Sequence, residues 1–127
     1  MKHLAGGVAL GMLACASALA ANYVDDPDID PVIRAWYQNA MRSDQDSSCC
    51  GSADAFWADK VEVKDGKVYA TITDDRMIPG RVKRNGKRFA IPDVVNDKRR
   101  LGNPTGHTVV FISGSDIVIC FFQATGG

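Results

Sequence analysis

From Asp30 onward the apolar positions recur first at helical spacing and then at strand spacing. Asp30 can cap the exposed amides of a first turn, and Pro31 suits the first helical position. Ile33, Trp36, Tyr37, Ala40 and Met41 then form one apolar stripe, which predicts a helix. Residues 43–48 contain no apolar side chain and end it. A short helical turn is expected around Ala53 to Trp57. Beyond it, Asp65-Gly66 marks a two-residue hairpin turn. Pairing Lys64 with Lys67 puts Val61, Val63, Val68, Ala70 and Ile72 on one face. Glu62, Tyr69, Thr71 and Thr73 fall on the other.

Asn85-Gly86 predicts a second hairpin, with Val82, Phe89 and Ile91 on one face and Arg81, Lys83 and Arg88 on the other. Lys83 and Arg88 would then face each other across the strands. Pro79 and Pro92 bracket this unit, and Val94 and Val95 anchor the polar connection after it. The last hairpin pairs Thr108–Ile112 with Ile117–Phe122. Val109, Phe111, Val118 and Cys120 lie on one face, and Val110, Ile112, Ile117, Ile119 and Phe121 on the other. Strands apolar on both faces must be covered on both sides. The expected fold is α+β, with an N-terminal helix packed on a small, strongly curled antiparallel sheet or barrel. About six strands in three hairpins would build it.

The chain before Asp30 reads differently. Lys2 and His3 precede an Ala-rich apolar run from Leu4 to Leu19, and Ala18-Leu19-Ala20 supplies small residues for a peptidase. Residues 1–21 are therefore expected to be a signal peptide, with the mature chain beginning at Ala21 or Asn22. The run is short for a bilayer span, and no second run is long enough, so the mature chain is expected to have no transmembrane segment. Residues 22–127 are expected to make one small disulfide-bonded domain, exported to the periplasm or secreted. A lipid on Cys15 is the alternative leader chemistry, but Met12-Leu13-Ala14 fits its pattern poorly.

The 127-residue chain has no net formal charge, yet its charges are segregated. Asn22 to Asp59 holds eight Asp against two Arg, net −6, and Arg76 to Leu101 holds nine Lys or Arg against two Asp, net +7. Opposite halves of this kind attract each other in a folded chain. Otherwise the basic half meets an anionic polymer, through Arg81, Lys83 and Arg88. Zero net charge argues against a specific nucleic-acid binder.

The densest local motif is Cys49-Cys50-Gly51-Ser52-Ala53-Asp54-Ala55-Phe56-Trp57, followed later by Gly102-Asn103-Pro104-Thr105-Gly106-His107. Together these resemble a family of small exported proteins, found mostly in rhizobia and other alphaproteobacteria, that carries no assigned activity. The resemblance runs from the Trp36-Tyr37 helix to the final strand. It implies export and an intact fold, and no mechanism.

Three thiols remain after the leader. Cys120 bridged to Cys49 or Cys50 would close a long loop and leave one thiol over. A vicinal Cys49–Cys50 ring is the second arrangement. A metal set of Cys49, Cys50, Cys120 and His107 is the third, disfavoured because neighbouring residues strain to reach one tetrahedral ion. The long bridge is expected, with no metal and no cofactor. The Asp25, Asp26, Asp28 and Asp30 cluster lacks the glycine-centred loop and bidentate Glu of a calcium site.

Catalysis would need the leftover thiol, Cys50 for example, with His107 as base and Asp54 orienting the imidazole. No nucleophile-elbow or oxyanion-loop pattern accompanies them. His107 and an outward-facing Trp57 instead suggest a surface that stacks on a flat ligand. The expected function is a small exported domain that binds an unknown small ligand, an anionic polymer or an envelope protein. A periplasmic thiol enzyme or hydrolase using Cys49 or Cys50 with His107 is the alternative. A structural component of an envelope assembly is another.

Overall fold

The computed structural model describes residues 30–41, 48–51, 53–96 and 102–124. The expected leader at residues 1–21, Cys15 within it, the acidic run before Asp30, the basic residues 98–100 and the final 125–127 all lie outside the described residues. Within them, helix α1 spans Pro31–Asn39, and Asp30 caps it by accepting a 2.7 Å hydrogen bond from the Val32 amide. It begins at Pro31, inside the chain rather than at its start, and is shorter than its apolar stripe. Ala40 already has extended backbone, and its carbonyl accepts from the Cys49 amide at 2.9 Å.

Among the described residues six strands follow: β1 Ala53–Trp57, β2 Lys60–Lys64, β3 Lys67–Thr71, β4 Arg88–Ile91, β5 Val109–Ser113 and β6 Val118–Phe122, with a 3-10 turn at Asp93–Val95. They form two antiparallel three-stranded sheets, ordered β1-β5-β6 and β2-β3-β4, rather than one curled sheet or barrel. Layering solves the burial problem that closure was expected to solve. One face of β1-β5-β6 packs Val109, Phe111, Cys120 and Phe122 against Tyr37 and Trp36 of α1. Its other face packs Phe56, Val110, Ile112, Val118 and Phe121 against Ala70, Ile72, Phe89 and Ile91. The β5–β6 hairpin is thus covered on both sides by its own chain.

Three local expectations change. Ala53–Trp57 is a strand, not a helical turn, because it pairs along its length with Val109–Ser113 and alternates its side chains between the two cores. Asn85-Gly86 does turn the chain, with Gly86 at φ 87°, but Arg81–Arg84 is not a strand. β4 pairs instead with β3, placing Arg88 opposite Thr71, so Lys83 and Arg88 do not face each other. The Arg81 and Arg84 side chains turn inward to carboxylates, which pulls this segment out of strand geometry. Finally, a bulge between Phe111 and Ile112 pairs Ile112 with Val118. It moves Val118 to the face opposite Cys120 and leaves Ile117 exposed. Val95 is buried as expected, whereas Val94 is exposed. The Asp65-Gly66 hairpin has the expected register, Lys64 opposite Lys67.

Candidate functional site

Cys49 and Cys120 are joined, with Cα atoms 5.8 Å apart, and both lie in the core under α1. Bridging ties the chain after the helix to the central hairpin. No described cysteine is free, so the leftover thiol is not found, and the thiol-enzyme reading has no nucleophile among the described residues. Cys50 is buried beside Ser48 and the Gln38 carbonyl, on the helix side of the sheet.

Trp57 ends β1 and stands at the centre of a layered stack. The His107 imidazole lies parallel to the indole, 3.8 Å between centroids and 10° between planes. The Arg76 guanidinium carbon sits 3.5 Å from the same indole. Two groups that close to one ring must occupy opposite faces, so Trp57 is sandwiched. Its indole N–H donates to the Tyr37 hydroxyl at 3.2 Å, fixing the ring in its plane. Both Trp57 faces are therefore occupied, and an outward-facing platform is not what the fold presents.

Each partner of the stack is held by a carboxylate. His107 Nδ1 is 2.7 Å from Asp59 Oδ2, and Asp59 Oδ1 accepts from the Thr108 amide. Asp59, and not Asp54, is therefore the carboxylate at His107. The loop before it is knotted by Asn103 and Thr105, whose side chains both bond the His107 carbonyl. On the other side, Asp74 accepts from the Arg76 backbone, from Arg76 Nε and Nη2, from Arg81 Nη1 and from the Trp57 amide. The Asp74 side chain is fully buried and that of Arg81 is 3% exposed. Burial alone would raise the Asp74 pKa, but the hydrogen bonds from Arg76, Arg81 and the Trp57 amide outweigh it, holding the carboxyl far below its usual range.

Arg81 also donates to the Ala55 carbonyl at 2.9 Å, so Asp74 and Arg81 together satisfy the outer edge of β1 as a neighbouring strand would. Arg84 is equally buried and reaches Asp116, which Lys87 also grips. Hydrogen bonds from Lys87 and Arg84 keep the Asp116 carboxyl below its ordinary value. Asp54, half-buried on the far face of β1, is pushed up by burial, with Arg84 and Arg81 pulling the other way.

These bonds pin the long 72–87 connection, which encloses a groove of about 380 Å³. Its lining combines the bonded Asp74, Arg76 and Arg81, the apolar Met77, Ile78 and Pro79, and the polar Asp75, Lys83 and Asn85. No protein-family model, curated protein or solved structure matches this chain. No helix among the described residues is long and apolar enough to cross a membrane, and no group of three metal-ligating side chains gathers among them.

Of the residues singled out from sequence, Trp57, His107, Arg81 and Lys83 lie along one continuous strip: His107 on Trp57, Trp57 on Arg76 and Asp74, then the groove. Arg88 does not join them. It stacks on Tyr69 of the second sheet, 3.8 Å from Glu62. Sequence reasoning missed Asp59, Asp74, Arg76 and Met77. For Asp74 a signal existed: Val68, Ala70 and Ile72 set an inward period of two, and the next member is Asp74.

Proposed function

We propose that the protein is an exported binding domain whose ligand site is the groove within the 72–87 connection. The observation that carries this reading is the pinning of that connection by the buried Asp74. Connections beyond ~12–15 residues without helix or strand are uncommon and are usually functional or disordered. This one is ordered by a carboxylate and a guanidinium withdrawn from water, an arrangement that adds little net stability and much positional precision. Met77 at the rim is 73% exposed, an apolar group presented to solvent beside charged ones. The volume falls within the ~300–1,000 Å³ typical of small-molecule sites. Residues 1–21 would deliver the domain to the periplasm, where the Cys49–Cys120 bridge persists.

The test uses the full chain expressed with its own leader and recovered from the periplasm. Amide spectra are recorded while fragments bearing carboxylates, amines and apolar rings are titrated in. Shifts should concentrate in Asp74–Asn85 and the Trp57 indole, and Met77→Arg should abolish them without lowering the melting temperature. Binding that maps elsewhere, or that survives Met77→Arg, overturns the assignment.

A further inference from the structure

The groups around the groove divide into those engaged with one another and those that are not. Asp74 and Arg81 satisfy each other and the edge of β1, and Arg76 is spent on Asp74 and Trp57. Asp75, Lys83 and Asn85 are exposed, and none of the three makes a side-chain hydrogen bond or ion pair. The lining therefore includes a carboxylate, a primary ammonium and an amide that the fold does not use. Met77 and Ile78 supply apolar surface to the same lining.

A charged ligand group entering this groove loses water and needs an opposite charge in return. A simple anion would satisfy Lys83 but meet Asp75, and a simple cation would satisfy Asp75 but meet Lys83. Each like-charge approach is a penalty that discriminates against singly charged ligands. A ligand carrying both charges avoids both penalties. We infer that the groove takes a molecule with a free amine and a free carboxylate beside an apolar side chain, namely an amino acid or a very short peptide. Lys83 meets its carboxylate, Asp75 its amine, and Met77 with Ile78 its side chain, while the Asn85 amide is available to the ligand's polar backbone.

This assignment rests on the groove being the ligand site, and the probes separate the two. Leucine, Leu-Leu, N-acetyl-leucine, leucinamide and 4-methylpentanoate are titrated into the processed full chain, followed by amide shifts and calorimetry. Leucine or Leu-Leu should bind at Asp74–Asn85, and the three singly charged probes should bind about tenfold or more weaker. Lys83→Ala should erase the preference for a free carboxylate and keep that for the amine, and Asp75→Asn should do the reverse. Both side chains are exposed, so the variants should fold. Equal binding of 4-methylpentanoate and leucine in the groove overturns the zwitterion and leaves the groove standing. Silence from all five probes, while other fragments shift the groove, also removes only the ligand class. Silence of the groove toward every compound removes both.

Discussion

Replacing Asp74 with Asn keeps the side chain's shape and removes its charge. Five N–H groups converge on this carboxylate, from Trp57, Arg76 and Arg81, and Arg81 is nearly as buried as Asp74 itself. In the variant the Arg81 guanidinium stays charged with no carboxylate bonded to it, and the Asn amide turns a donor toward other donors. Removing one partner of such a pair costs about 3–5 kcal/mol, a large share of the ~5–15 kcal/mol that holds a domain together. With a urea slope of about 2 kcal/mol per M, the unfolding midpoint should fall by about 2 M. The loss depends on pH in a stated direction. Because the folded pKa is depressed, the carboxylate's contribution is full above the unfolded value of about 3.9 and is lost as pH falls toward the folded one. The gap between wild type and Asp74→Asn should therefore narrow below that pH. Adding Arg81→Met should recover part of the loss, since the stranded charge is then gone. A loss under about 1 kcal/mol, or a double variant no better than the two losses added, would refute the reasoning.

Cys120→Ser opens a loop whose ends are 71 residues apart, which by chain entropy should cost about 4 kcal/mol in urea unfolding, and a non-reducing peptide map should recover Cys49 with Cys120. Asp59→Ala should move the His107 ring resonances and the Trp57 fluorescence while costing only about 1 kcal/mol, as expected of an exposed pair, whereas Asp54→Asn should leave both signals in place. Asp54 has its folded pKa raised by burial, so its contribution is greatest below the unfolded value and is lost as pH rises through the folded one. Asp54→Asn should therefore gain on the wild type, by urea midpoint, as pH approaches neutrality.

Local patterning determined the parts of this protein whose partners are near in sequence. The Asp30-Pro31 cap, the Asp65-Gly66 register and the apolar final hairpin are each decided within a few residues, by capping geometry, turn φ and the period of two. The thiol count favoured a bridge from Cys120 to Cys49 or Cys50 over a vicinal ring, and only the structure selected Cys49. The fate of Ala53–Trp57 was not local: a run short enough to read as a helical turn becomes a strand only when Val109–Ser113 lies beside it. The same holds for the basic segment, where a hairpin signal at Asn85-Gly86 yielded to carboxylates at Asp74 and Asp116 that draw Arg81 and Arg84 inward. His107 was legible as a residue worth following, but its partner was not, since Asp54 and Asp59 differ only in where β1 ends and the chain turns away. Charge pairs and stacked rings form between segments that only the packing of two sheets and a helix brings together. Sequence spacing does not encode that distance, so the meeting of Asp59–His107 and Asp74–Arg76 on the two faces of Trp57 belongs to the tertiary structure, even though the inward period of two reaches Asp74.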